Sequence, residues 1–73
     1  MNIYKIRNNI LLNKGKCLKF RFNGNRNQVE EFQGFIENVY SSVFTIRLND
    51  NNYKIKSFTY SDILTNSLQI YTD

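Results

Sequence analysis

No histidine occurs in this sequence. Its absence removes the commonest general base, together with any Ser-His or Cys-His nucleophile pair. Cys17 is the only cysteine, so no disulfide can form within the chain, and a zinc site would have neither a second thiol nor an imidazole. Proline and tryptophan are missing too, and the three glycines, Gly15, Gly24 and Gly34, do not form a phosphate-cradling motif. No stretch approaches the roughly 20 apolar residues of a membrane span. The first apolar residues are interrupted by Lys5, Arg7, Asn8 and Asn9, which gives no signal-peptide core. With a lone thiol suited to a reducing compartment, these absences lead us to expect a cytoplasmic, non-enzymatic protein with no metal, no cofactor and no membrane partner.

Two remaining polar features fail as catalytic elements. Cys17 lies near Lys16 and Lys19, but no base is placed to use it as a nucleophile. Glu30 and Glu31 are adjacent, and adjacent strand residues face opposite ways, so they make a poor carboxylate pair. A chain of 73 residues is expected to form a single domain, residues 1–73, burying only about 60% of the surface its unfolded form exposes. Without disulfides or metal, such a small core must rely on dense packing or on a second subunit. The aromatic content of 15% favours packing and leaves a homodimer open.

The net charge of +4 is unevenly spread. Lys5, Arg7, Lys14, Lys16, Lys19, Arg21 and Arg26 all precede residue 29, with no acid among them. The remainder sets Arg47, Lys54 and Lys56 against Glu30, Glu31, Glu37, Asp50, Asp62 and Asp73. Such asymmetry points to an anionic partner for the N-terminal part, although it also serves as a well-solvated surface.

Residues 2–13 predict a short helix, because Ile3, Ile6, Ile10 and the Leu11-Leu12 pair recur at helical spacing. Gly15 supplies a stop, dividing an N-terminal helical part (1–14) from a β part (15–73). From Lys16 the period changes. Leu18, Phe20 and Phe22 alternate with Cys17, Lys19 and Arg21, the pattern of a half-buried strand. Asn23-Gly24 marks a turn. A second strand covers 29–39, with apolar residues on both faces around Gly34, as at a bend or bulge. Tyr40-Ser41-Ser42 turns the chain into a third strand, 43–48, with Phe44, Ile46 and Leu48 inward. Asn49-Asp50-Asn51-Asn52 leads to a fourth strand, 53–60. Residues 61–65 read as one 3₁₀ turn, and 68–71 as a fifth strand. Five short strands need their edges closed or covered. The expectation is therefore a mostly β fold, a five-stranded SH3-like or Sm-like barrel preceded by a short α-helix.

Two binding modes fit this pattern. Lys14, Lys16, Lys19, Arg21 and Arg26 could form a basic face for nucleic acid, with Tyr40, Tyr53 and Tyr71 as stacking platforms. Against this, outward strand residues must be polar anyway, and no RNA-binding signature is present. Alternatively, the helix's apolar face or an exposed edge strand could recruit a protein.

Gly15-Lys16, Asn23-Gly24, Gly34, the run Tyr40-Ser41-Ser42-Val43-Phe44 and the run Phe58-Thr59-Tyr60-Ser61-Asp62-Ile63-Leu64-Thr65 together resemble the Veg family. These are small biofilm formation stimulators of low-GC Gram-positive bacteria. The resemblance implies an SH3-like barrel behind an N-terminal helical segment, no enzyme activity, and a regulatory role in biofilm-matrix gene expression through a protein partner, a transcriptional regulator. Two departures stand out. Ser41 replaces the proline that often follows the tyrosine, and Asn25-Arg26-Asn27 carries one cation where the family often has a run of Arg and Lys. The helix also looks divergent, so a partner recognised through these regions would differ. Phe44, Tyr60, Ile63 and Leu64 read as core and turn residues, and Asp62 as a cap of the helical turn.

Overall fold

The computed structural model describes residues 2–24, 28–50, 52 and 54–71. The element order is α1 (Ile3–Leu12), β1 (Cys17–Asn23), β2 (Val29–Val39), β3 (Val43–Leu48), β4 (Ile55–Thr59), α2 (Tyr60–Leu64) and β5 (Leu68–Tyr71).

Asn2 caps α1 by accepting the Lys5 N–H at 2.9 Å, which satisfies one of the helix's orphan donors. The helix stops at Asn13, and Gly15 follows with φ of 86°, a left-handed conformation that glycine adopts without steric penalty. From there the Gly15 N–H donates to the Ile36 carbonyl at 2.9 Å, steering the chain into the sheet. Ile6 and Ile10 are the helix residues buried in the core.

All five strands form one antiparallel sheet in the order β4-β3-β2-β1-β5. The expected barrel is not closed: β4 and β5 are the sheet's edges, and no ladder joins them among the described residues. The chain between them is taken up by α2. What curls the sheet is side-chain packing. The Phe58 ring on β4 lies 5.2 Å from Phe22 on β1 and 6.0 Å from Phe32 on β2. Lys56 on β4 reaches Glu30 on β2 at 2.6 Å and lies over the Phe32 ring. Phe20, Phe44, Ile36, Ile46, Tyr60 and Leu68 are the largest fully buried side chains, in one cluster with Ile6 and Ile10.

Gly34 and the bulge of β2 are separate features. The register shift falls between Ile36 and Asn38, leaving Glu37 as the extra residue. Gly34 instead permits a close approach. A Cβ there would meet Ile46 Cγ2 at 2.6 Å and the Arg47 carbonyl oxygen at 2.7 Å.

The turn before β5 is α-helical rather than 3₁₀, with the Thr65 N–H donating to the Ser61 carbonyl. A capping box explains why so short a segment holds. The Thr59 side chain accepts the Asp62 N–H at 3.2 Å, and the Asp62 carboxylate accepts the Thr59 N–H at 3.0 Å. Asp62 therefore works from inside the turn, while Thr59 is the N-cap. Asp62→Ala is expected to cost about 1 kcal/mol, a fall of roughly 4–8 °C in melting temperature for a domain of this size. Unchanged melting would remove the box from the account.

Tyr60 opens α2 and is 1% exposed. Its hydroxyl donates to the Tyr40 carbonyl, and the Val43 carbonyl lies 3.2 Å away. The Val43 carbonyl also accepts the Tyr40 N–H at 2.9 Å. The two runs on which the family resemblance chiefly rests are thus bonded to each other, Tyr60 holding the 40–43 turn from the far end of the chain.

Candidate binding surfaces

β1 faces two environments, as its alternation requires. Leu18 and Phe20 are buried and Phe22 half-buried, while Cys17, Lys19 and Arg21 are exposed on the outer face. The register supplies their neighbours. Lys19 stands between Gln33 of β2 and Tyr71 of β5, and Arg21 between Glu31 and Gln69. Lys16, Lys19, Gln33 and Tyr71 line one shallow pocket of about 360 Å³. Arg21 lines a separate hollow with Asn23, Asn66 and Gln69.

This face is less cationic than the sequence suggests. Glu31 lies directly across from Arg21 and 4.0 Å from the Lys19 ammonium. Both Lys19 and Glu31 are more than half exposed, so the pair contributes little to stability, but it lowers the local field. Lys14 is not gathered with the others; it borders a pocket with Phe35, Glu37 and Arg47. There Arg47 lies over the Phe35 ring at 5.4 Å and 3.8 Å from the Glu37 carboxylate. Arg26 lies outside the described residues, as does Tyr53. Tyr71 is the stacking candidate beside the cations, its hydroxyl donating to Gln69 Oε1 at 3.0 Å. Tyr40 sits at the β2–β3 turn, outside this pocket. Cys17 is a free exposed thiol with the Asn49 amide nitrogen 4.0 Å from its sulfur.

A second surface joins the two protein-binding features expected from the sequence, the helix's apolar face and an edge strand. Ile6, Ile10 and Leu12 of α1 face Ile63, Leu68 and Ile70 across a groove of about 650 Å³. Leu12 is 78% exposed and Leu11 50%. The clue available in the sequence was the width of the helix's apolar arc, which Leu11 and Leu12 extend beyond the Ile6–Ile10 stripe. Only the topology shows that β5 forms the opposite wall.

Among the described residues, no helix is long and apolar enough to cross a membrane. A family model described as "Biofilm formation stimulator VEG" matches residues 1–71. No curated protein matches the chain.

Proposed function

The chain belongs to the Veg family of biofilm formation stimulators, and from that premise we propose that it is a non-enzymatic binding module of the cytoplasm. It raises biofilm-matrix gene expression by engaging a transcriptional regulator as its protein partner. The match over nearly the whole chain carries this reading. The curled sheet and its strand order support an SH3-like barrel left open at the β4–β5 seam, a frame that presents surfaces rather than enclosing a reactive site. A second reading, direct binding of RNA or DNA, draws on one observation: Tyr71 shares a pocket with Lys16 and Lys19, a stacking ring beside phosphate-binding charges.

One comparison separates the two. Lys16, Lys19 and Arg21 are exposed, so a Lys16→Glu, Lys19→Glu, Arg21→Glu triple variant keeps the core. In a salt titration against short single- and double-stranded nucleic acids, the regulator reading expects no tight binding by either protein. Binding by wild type that weakens steeply with salt and vanishes in the variant would establish phosphate contact and favour the second reading.

A further inference from the structure

β5 is an outermost strand of the sheet, and ladder geometry fixes which of its groups point outward. The Asn23 N–H donates to the Ser67 carbonyl at 2.7 Å, in the register that sets Arg21 opposite Gln69 and Lys19 opposite Tyr71. Bonded and non-bonded pairs alternate along an antiparallel ladder. Ser67, Gln69 and Tyr71 therefore turn their N–H and C=O groups toward β1. Leu68 and Ile70 turn theirs the other way, where no backbone partner meets them among the described residues. The groove between α1 and β5 lies along that edge.

Three properties of the groove define its occupant. The unpaired N–H and C=O groups call for an extended backbone, since only a strand can match their spacing. The walls, Ile6, Ile10, Leu12 and Ile63, call for apolar side chains. Its charge calls for acid: Lys5 is the one charged residue among those lining it, and Arg21 stands in the adjoining hollow beside Asn66 and Gln69. Pairing with a second copy is disfavoured on the same ground. Neither edge strand supplies an acid: β5 is Leu68–Tyr71, and β4 is Ile55–Thr59, whose one charged residue, Lys56, already pairs with Glu30 at 2.6 Å.

Resting on the reading that this chain acts by binding a protein, we infer that the groove takes an extended, acidic-apolar segment of the partner as an added strand on the outer edge of β5. Its apolar side chains, with one flanking carboxylate for Lys5, face α1, and the acidic side chains that alternate with them face the outer side of the sheet, toward Arg21. The four residues of β5 span about 13 Å, so the contact covers a short segment of the partner.

The test is selection from a displayed random decapeptide library against the full chain, followed by amide hydrogen exchange with the best peptide. Selected peptides are expected to alternate apolar and acidic residues, and to slow exchange of the Leu68 and Ile70 amides, which in the free protein is expected to be fast. Lys5→Glu is expected to weaken binding about tenfold and Leu12→Lys to abolish it; both positions are exposed, so both variants fold. Recovery of no peptide, or of basic or unpatterned ones, overturns the inference. So does binding that leaves Leu68 and Ile70 unprotected, or a free protein whose Leu68 and Ile70 amides are already protected in a dimer. If wild type raises matrix-gene expression and Lys5→Glu and Leu12→Lys do so equally, the groove falls and the binding reading stands. If wild type has no such effect, the binding reading itself falls.

Discussion

Gly34→Ala is expected to destabilise the protein by about 3 kcal/mol, near the upper end for overpacking a core. The melting temperature should fall by roughly 12–24 °C. The cause is space, not conformational freedom, since Gly15 is the described glycine with positive φ. The added methyl would lie 2.6 Å from Ile46 Cγ2 and 2.7 Å from the Arg47 carbonyl oxygen. A side chain can shift; the carbonyl belongs to the β2–β3 ladder, where Arg47 pairs with Phe35, and moving it breaks sheet hydrogen bonds. Deleting the Ile46 obstacle with Ile46→Ala relieves only one contact, so the double variant should not recover. Against this, glycine replacement restricts the unfolded chain and returns about 0.4–1 kcal/mol, too little to offset the clash. Melting within a few degrees of wild type would show that β3 can move away from β2 at little cost.

Tyr60→Phe ranks second, with an expected loss of about 1–2 kcal/mol. Removing a hydroxyl strands its acceptor, here the carbonyl of Tyr40. The Tyr40 residue is itself 52% exposed, so water reaches the vacated carbonyl and holds the loss to the lower part of that range. The ring stays, stacked 5.6 Å from Phe44, which separates this variant from a cavity mutant. Its signature is therefore local: amide exchange in the 40–43 turn should speed up more than in the β1–β2 ladder. Truncation to alanine removes the ring as well and should cost about 3–5 kcal/mol. Equal melting of Tyr60→Phe and wild type would mean the turn holds itself.

Local pattern carried most of the fold. Leu18, Phe20 and Phe22 against Cys17, Lys19 and Arg21 is a period-two signal that nothing else in the segment contradicts, and β1 runs from Cys17 to Asn23. The helix likewise follows from Ile6 and Ile10 at i, i+4. Where the reading departs from the structure, the deciding contacts are distant in sequence. Whether 60–64 forms a 3₁₀ or an α turn depends on the reciprocal bonds of Thr59 and Asp62. The fourth strand ends at Thr59 rather than 60 because Tyr60 is drawn into α2 and toward Tyr40; its expected start at Tyr53 lies outside the described residues. Closure of the sheet depends on how α2 spans the gap between β4 and β5, which no strand periodicity encodes.

The same distinction runs through the surfaces. That Lys19 and Arg21 share the outer face follows from alternation alone. That Glu31 stands across from Arg21 and within 4.0 Å of Lys19 follows from the β1–β2 register, which the sequence does not specify. That the helix's apolar face and an edge strand form one groove was not legible, because this groove joins the first element to the last. Its walls are apolar residues that a linear reading assigns to the core, and its unpaired edge exists only once β5 is known to lie outside β1.

Regulation through a bound protein rather than a nucleic acid is what we propose for this Veg-family chain. It is tested most directly by a matrix-gene reporter in a biofilm-forming Gram-positive host carrying one of three chains. These are wild type, the Lys16→Glu, Lys19→Glu, Arg21→Glu variant, and the Lys5→Glu, Leu12→Lys variant, each at matched protein level. The expected result is full induction by wild type, loss in the groove variant, and substantial retention in the basic-face variant, where only Arg21, in the hollow adjoining the groove, is also offered to the partner. Retention in the groove variant with loss in the basic-face variant would contradict it and move the function to the face around Lys19.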